Sequence, residues 1–498
     1  MPRRRSARVA PRPAAAHNLR PMADGTQLHV EGPLLPAADA EGEPRRTPWL
    51  LWTAALAAGG AVAIIALRID DPKQSRAALV AGVCLVLWLT ELVPLYATTI
   101  VLWAGTALLL GPLDSKQFSL SQVLSWAANP VMALFFGGFA LSVAGSKYGI
   151  DANVAGWMVR VSRGRQALLL MSVMAGTAVL SMWMSNIAAA AMMIATLRPL
   201  FNHATAGSIA GDGGGNFRKA LLLGIAFAAN FGGMGTPIGS GPNLIAIGAA
   251  NTIDPDRRIT FAHWILFALP LTVLMLSLSY LLLMWLHRVR GPAPAAVIPR
   301  PTLGARGRAV VVIFFLAVAG WLTEPLHGVI AGVTALAVAA ALFGGRLLDT
   351  RDLAKMEWDT LLLVAGGLTL GELFERSGLA RSMAAAVHWQ ALHPAVLMLA
   401  FIAVCAVLSA VASNTAAAAM LIQIGLGIMP SPSFAILVAM GASMGVPFVI
   451  STPPNAMAYG QGGLRPRDFM VPGLSLMTIG CVLVALTGRP VLALMGVP

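Results

Sequence analysis

The segment between Arg165 and Arg198 constrains the fold most, because it holds 32 consecutive residues without a charge. A straight helix of that length would measure about 48 Å, whereas the hydrocarbon core of a bilayer is about 30 Å thick. Basic residues flank the segment on both sides, and basic residues favour the cytoplasmic side of a membrane. Both ends are therefore expected in the cytoplasm, which a re-entrant hairpin allows and a single crossing does not.

The composition places the rest of the chain in a membrane as well. Of 498 residues, 57% are hydrophobic and 11% are charged, against about 25% charged in ordinary soluble domains. Apolar runs of sufficient length predict an all-α polytopic membrane protein with about eleven transmembrane helices and two re-entrant hairpins. The predicted spans lie near 48–67, 76–93, 94–112, 130–147, 217–251, 261–286, 308–323, 327–345, 358–375, 433–462 and 470–488.

Residues 1–47 differ from the rest, being rich in Arg, Pro and Ala without an apolar period. We expect a disordered basic tail that keeps the N-terminus on the cytoplasmic side of the inner (plasma) membrane. A start at Met22 is an alternative. The net charge of +13 comes mostly from Arg in this tail and in loops, so it does not indicate a nucleic-acid partner.

Short phrases recur in the same order along the chain. "SNIAAAAMM" begins at Ser185 and "SNTAAAAML" at Ser413, 228 residues later. "FFGGFAL" recurs as "VAGGLTL", and "GTPIGSGPN", which ends at Asn243, recurs as "VISTPPN", which ends at Asn455. Because an odd number of predicted spans separates the copies, they should face opposite ways across the bilayer. Inverted repeats of this kind are typical of secondary transporters, which bind substrate near the midplane at broken helices.

The repeat divides the chain into five predicted segments. They are the tail, a first helix and loop at 48–75, a first repeat at 76–287 with its hairpin at 166–197, a cytoplasmic linker at 288–307, and a second repeat at 308–490 with its hairpin at 394–429.

The two hairpins contain no Asp, Glu, Lys or Arg. A site at their tips is therefore expected to work with hydroxyls, Asn amides, backbone carbonyls and helix ends. Helix N-termini suit carboxylate or sulfate oxygens, whereas the oxygens at broken helix ends suit a hard cation such as Na⁺. An anion held without a buried Arg needs co-bound cations, so the sequence predicts cation-coupled anion uptake.

Several other interpretations remain open. One Ser-Asn phrase by itself could be a contact between closely packed helices. A sodium-independent anion exchanger would share the fold without the cation sites, and an anion channel can also be built from broken helices. A membrane enzyme would need acids or His at the tips, and the hairpin sequences supply neither there, so no enzymatic activity is predicted.

The paired Ser-Asn motifs, "LWLTELVPL" and "TPPNAMAYG" resemble the divalent anion:sodium symporter family of dicarboxylate, tricarboxylate and sulfate carriers, over about residues 48–490. The resemblance implies a homodimer in which each protomer has a scaffold domain and a transport domain that moves as an elevator. It also implies Na⁺ as the coupling ion and no cofactor.

Carried over motif by motif, the resemblance implies two sodium sites and one anion site. The sodium sites would comprise Ser181, Ser185, Asn186 and the Gly239 carbonyl, and Ser409, the Ala412 carbonyl, Asn414 and the Ser451 carbonyl. The anion would lie among Ser185, Asn186, Ser240, Ser413, Asn414, Thr415, Thr452 and Pro453. The chain departs from the family pattern at Ile187, where Thr is usual, at Gly241, where Pro is common, and at Ser451, where a small apolar residue is usual.

Overall fold

The computed structural model describes residues 49–205, 213–293, 302–386 and 393–497. The predicted N-terminal tail lies outside the described residues, as does part of the predicted linker. In the described ranges the regular structure is helical, apart from one isolated bridge between Arg165 and Pro292. The all-α fold class is confirmed.

The helices are α1 Trp49–Leu67, α2 Pro72–Thr90, α3 Leu95–Leu110, α4 Ser115–Phe118, α5 Leu120–Trp126, α6 Pro130–Lys147, α7 Ile150–Val161, α8 Gln166–Ser181, α9 Asn186–Thr205, α10 Gly213–Gly232, α11 Gly241–Ile253, α12 Phe261–Leu286, α13 Ala305–Leu322, α14 Glu324–His327, α15 Ala331–Gly344, α16 Thr350–Leu353, α17 Trp358–Ser377, α18 Leu379–Ala386, α19 Pro394–Val411, α20 Asn414–Leu426, α21 Pro432–Ser443, α22 Pro453–Gly460 and α23 Pro466–Leu494.

Five of these helices are long and apolar enough to cross a membrane, judged by length and composition within the described part of the chain. They are α6, α12, α13, α19 and α23. Several shorter apolar helices accompany them, including both helices of the first predicted hairpin and α20 of the second. These features are those of a multi-pass membrane protein.

Two predicted spans are each broken into two helices. The span near 217–251 consists of α10 and α11, and the span near 433–462 consists of α21 and α22. Gly and Pro cause both interruptions, because Gly weakens a helix interior and Pro removes a backbone donor. Pro242 and Pro453 then lie in the first turn of the helix that follows, where Pro is well tolerated. Non-helical backbone at membrane depth is allowed only inside protein or beside a cavity.

The repeated Gly-Gly phrase has a packing role in each half. A Cβ on Gly137 in α6 would clash with the backbone carbonyl of Ala335 in α15, and a Cβ on Gly366 in α17 would clash with Thr99 in α3. Each glycine therefore lets a helix of one half pass close to a helix of the other half, as small residues do in membrane proteins. The two halves are therefore in close contact at both glycines.

Candidate functional site

The Ser-Asn phrases lie at the turns of two helix–turn–helix hairpins. In the first hairpin α8 ends at Ser181 and α9 begins at Asn186, and in the second α19 ends at Val411 and α20 begins at Asn414. The Ser185 hydroxyl accepts a hydrogen bond from the Ala188 N–H at 3.2 Å. The Ser413 hydroxyl accepts one from the backbone N–H three residues on, at 3.5 Å. Each Ser is thus the N-cap of a helix that starts inside an apolar segment.

Each tip holds the same cluster of a serine hydroxyl, an Asn amide and a backbone carbonyl. Ser181 Oγ lies 2.6 Å from Asn186 Oδ1 and 2.6 Å from the Ala229 carbonyl oxygen. In the second hairpin Ser409 Oγ lies 2.6 Å from Asn414 Oδ1 and 2.5 Å from the carbonyl oxygen of Ala442. Ser181 and Ser409 are both fully buried. The structure therefore brings together Ser181 and Asn186 of one predicted sodium site and Ser409 and Asn414 of the other. Ser185, also predicted for the first site, caps α9 instead.

The Asn186 amide has two orientations with different chemistry. With its NH₂ group towards the cluster it donates to Ser181 Oγ at 2.6 Å, to the Ala229 carbonyl at 3.1 Å and to the Gly239 carbonyl at 3.3 Å. With Oδ1 towards the cluster, four oxygen atoms converge, and only the Ser181 hydroxyl carries a proton. Oxygen ligands of this kind suit a hard cation. The donor set at Ser181, Asn186 and Gly239 therefore fits Na⁺.

In the second half, the break between α21 and α22 is attached to the hairpin by Ser451. Its hydroxyl donates to the Ala410 carbonyl at 2.7 Å and accepts from the Phe448 N–H at 2.9 Å. In the sequence only the Ser451 carbonyl was expected to matter, so this side-chain role is new. Ala412, whose carbonyl was expected to bind sodium, lies buried between the end of α19 and Ser413.

Two asparagines bridge the broken helices, although they were not predicted as site residues. Asn243 Nδ2 donates to the carbonyls of Gly233 and Thr236, both at 2.8 Å. Asn455 Nδ2 donates to the carbonyls of Val446 and Phe448 in the second break, at 3.0 and 2.8 Å. Both are fully buried and satisfy carbonyls that the break leaves without helical partners. The repeated phrases end at these residues, which was the signal that could have identified them.

The two halves meet at the predicted anion site. Asn230 in α10 donates to the Thr452 hydroxyl at 3.0 Å and to Asn455 Oδ1 at 3.2 Å. Thr415, from the second hairpin, lies against the backbone of the first break, since a Cβ on Gly241 would approach its Oγ1 to 2.5 Å. This contact explains a glycine at position 241.

The predicted anion-site residues differ in whether their side chains already make hydrogen bonds within the protein. The Thr452 hydroxyl caps α22 by accepting from the Asn455 N–H at 3.4 Å. The half-buried Ser240, at the equivalent start of α11, makes no side-chain cap bond, so its hydroxyl can serve a ligand. Pro453 is exposed, and Ile187 is 47% exposed beside Asn186.

Glu357 directly precedes α17, and its carboxylate accepts a hydrogen bond from the Thr360 hydroxyl at 3.4 Å. The two hairpins themselves contain no Asp, Glu, Lys or Arg.

These features define a class of membrane transporter with paired hairpins and broken helices. The profile of the citrate transporter family matches residues 85–433. The chain belongs to this family, and it is a member of the divalent anion:sodium symporters. The family and the relatives named below are transporters, not enzymes.

Three relatives show the extent of the similarity. An uncharacterized transporter of Haemophilus influenzae is 27% identical over 84% of this chain and 91% of its own length. The sodium-dependent dicarboxylate transporter SdcS of Staphylococcus saprophyticus is 25% identical over 80% of this chain and 82% of its own length. The crystal structure of the Alcanivorax borkumensis YdaH transporter matches with 16% identity and a TM-score of 0.49, over 79% of this chain and 99% of that one.

Proposed function

We propose that the protein is a secondary active transporter that imports a divalent organic or inorganic anion together with sodium. The anion is a dicarboxylate, a tricarboxylate or sulfate, and the transport domain moves by elevator-type alternating access. The single observation that carries the proposal is the pair of matching oxygen clusters around Ser181 with Asn186 and Ser409 with Asn414.

The residues divide into two roles. Ser181, Asn186 and the Gly239 carbonyl hold one sodium ion, and Ser409, Asn414 and the Ala412 and Ser451 carbonyls hold the other. Bound sodium supplies positive charge beside the anion. Ser413 and Thr415 at the second tip and Ser240 and Thr452 at the breaks orient the anion by their hydroxyls, and the N-terminus of α20 adds a favourable dipole.

The remaining parts of the proposal follow the family resemblance. The protein works as a homodimer in the inner membrane with its N-terminus in the cytoplasm. The SdcS relatives are named as sodium-dependent dicarboxylate transporters, which supports sodium as the coupling ion and a dicarboxylate among the candidate anions.

Uptake into proteoliposomes tests the proposal. Succinate, citrate and sulfate are offered with an inward gradient of Na⁺, and then with K⁺ or choline in its place. We expect saturable uptake of at least one anion that rises cooperatively with Na⁺. Uptake that is unchanged without Na⁺ and needs an anion inside the vesicle would favour an exchanger, and uptake that does not saturate would favour a channel.

A further inference from the structure

A chain of directed hydrogen bonds runs through the second helix break to the predicted anion site. The carbonyls of Val446 and Phe448 can only accept, so the Asn455 amide turns its NH₂ group to them, at 3.0 and 2.8 Å. Asn455 Oδ1 is therefore left as an acceptor that needs a donor. Asn230 in α10 supplies that donor at 3.2 Å, which fixes the direction of the Asn230 amide as well.

The same amide group of Asn230 also donates to Thr452. Asn230 Nδ2 lies 3.0 Å from the Thr452 hydroxyl oxygen, and the backbone N–H of Asn455 donates to that oxygen at 3.4 Å. A hydroxyl oxygen has two lone pairs and one proton, so both of its acceptor positions are used. Within the described residues this hydroxyl donates no hydrogen bond of its own. Its proton is left for a ligand.

The first helix break lacks this arrangement. Asn243 corresponds to Asn455 in the repeated phrases, and its NH₂ group likewise donates to two carbonyls of its break. Its Oδ1 atom, however, has no hydrogen-bond partner among the described residues. Ala442 takes the place of Asn230, since each lies thirteen residues before the asparagine of its own break. The amide donor is therefore a feature of the break that contains Thr452.

We propose that Asn230 is a positioning residue of the anion site, which holds the Thr452 hydroxyl as a hydrogen-bond donor to the transported anion. This inference rests on the proposed anion transport. With both lone pairs of its oxygen occupied, the Thr452 hydroxyl is unsuited to a cation, and its proton is available to a carboxylate or sulfate oxygen. Hydrogen bonds to charged groups are among the stronger ones, so loss of this bond should weaken anion binding and leave sodium binding unchanged.

A double-mutant cycle of Asn230→Ala and Thr452→Val tests this role, because such a cycle isolates what two side chains do together. In proteoliposomes we measure the KM for the anion that the wild type carries and, at saturating anion, the Na⁺ concentration for half-maximal uptake. Thr452→Val keeps the shape without the hydroxyl and should raise the KM about ten-fold or more, and Asn230→Ala should raise it about five-fold. In the Thr452→Val background, Asn230→Ala should change the KM by less than about two-fold, and the Na⁺ requirement should stay within about two-fold in all variants.

The cycle separates a positioning role from a merely structural one. If Asn230→Ala raises the KM by the same factor in both backgrounds, it acts through the general stability of the break, and the inference is overturned. An unchanged KM in Asn230→Ala overturns it as well. The control is Asn216→Ala on the same helix, about 21 Å away along the helix axis, which should leave the KM within about two-fold.

Asn230→Ser covers the case in which Asn230→Ala does not fold, as judged by gel filtration. The serine hydroxyl ends one bond short of the position of Asn230 Nδ2, so it loses the direct bond to Thr452 but keeps a polar group in the break. The KM should then rise about three-fold or more, and an unchanged KM overturns the inference. If the wild type neither transports nor binds any of the anions, the proposed function fails, and this inference fails with it.

Discussion

The two hairpin tips share one set of interactions and differ in another. The distance from serine to Asn is 2.6 Å in both, and each serine also reaches a backbone carbonyl of the facing broken helix. Beyond this cluster the tips differ, since the first has Ile187 where the second has Thr415. In the proposed function this difference makes the cation half of the site symmetric and the anion half asymmetric.

In each half a side chain of the helix break donates a hydrogen bond to a backbone carbonyl of a hairpin, but the residues that make this bond differ. In the first half the Thr236 hydroxyl donates to the Met182 carbonyl. In the second half the Ser451 hydroxyl donates to the Ala410 carbonyl at 2.7 Å. Different residues at different positions of the break thus hold each hairpin in place. The serine at 451, unusual for the family pattern, is explained by this bond.

The largest expected effect comes from the symmetric part. Asn186→Ala and Asn414→Ala should each abolish sodium-coupled uptake, with a loss of about 100-fold or more, equivalent to about 2.8 kcal/mol. Each change removes a proposed cation ligand, and the buried serine keeps a backbone carbonyl as its remaining hydrogen-bond partner. Initial rates of anion uptake against Na⁺ concentration measure the effect.

The matched control for the asparagine variants is Asn153→Ala. Asn153 lies in α7 and donates to the Gly149 carbonyl at 2.9 Å, a bond outside both oxygen clusters, so uptake should stay within about two-fold. Normal sodium coupling in one of the two tip variants would show that the clusters are not equivalent, despite their matching distances.

Much of this arrangement could be predicted from the sequence, and the reasons for the omissions are physical. Chain length between Arg165 and Arg198 predicted a hairpin with its turn near Ser185, where the helices do break. The repeated phrases identified the Ser and Asn residues, because helix capping and the proposed cation binding both depend on side chains that lie close together in the sequence. The bond from Asn230 to Thr452 could not be found in this way, since it joins residues that are 222 apart in the sequence. The role of the Ser451 side chain was also missed, because the family pattern needs only its carbonyl.

A second prediction concerns close packing against the two hairpins. An added Cβ on Gly232 would lie 2.5 Å from Ala178 Cα, and one on Gly445 would lie 2.5 Å from Ser409 Oγ. Overpacking of this kind costs about 1–3 kcal/mol, so Gly232→Ala and Gly445→Ala should both lower the melting temperature in detergent. Only Gly445→Ala displaces a sodium ligand, so it alone should also raise the Na⁺ concentration for half-maximal uptake.

Gly145→Ala is the control for both glycine variants. A Cβ at Gly145 in α6 would have nothing within 4 Å, and Ala favours a helix over Gly by about 0.8–1.0 kcal/mol, so the melting temperature should not fall. A wild-type melting temperature in Gly232→Ala or Gly445→Ala would mean that the hairpins pack less tightly against the breaks than the structure shows.

The smallest effect is expected where the tips differ in one hydroxyl. A hydrogen bond to a charged group contributes about 1.5–3 kcal/mol, so Ile187→Thr should lower the KM for succinate by roughly ten-fold, and Thr415→Ile should raise the KM for whichever anion is carried by a similar factor. Ile187→Val and Thr415→Val are the matched controls, because Val has the shape of Thr without its hydroxyl. If Ile187→Thr and Ile187→Val give the same KM for succinate, the first tip does not contact the anion through this position, and the proposed asymmetry must come from another residue.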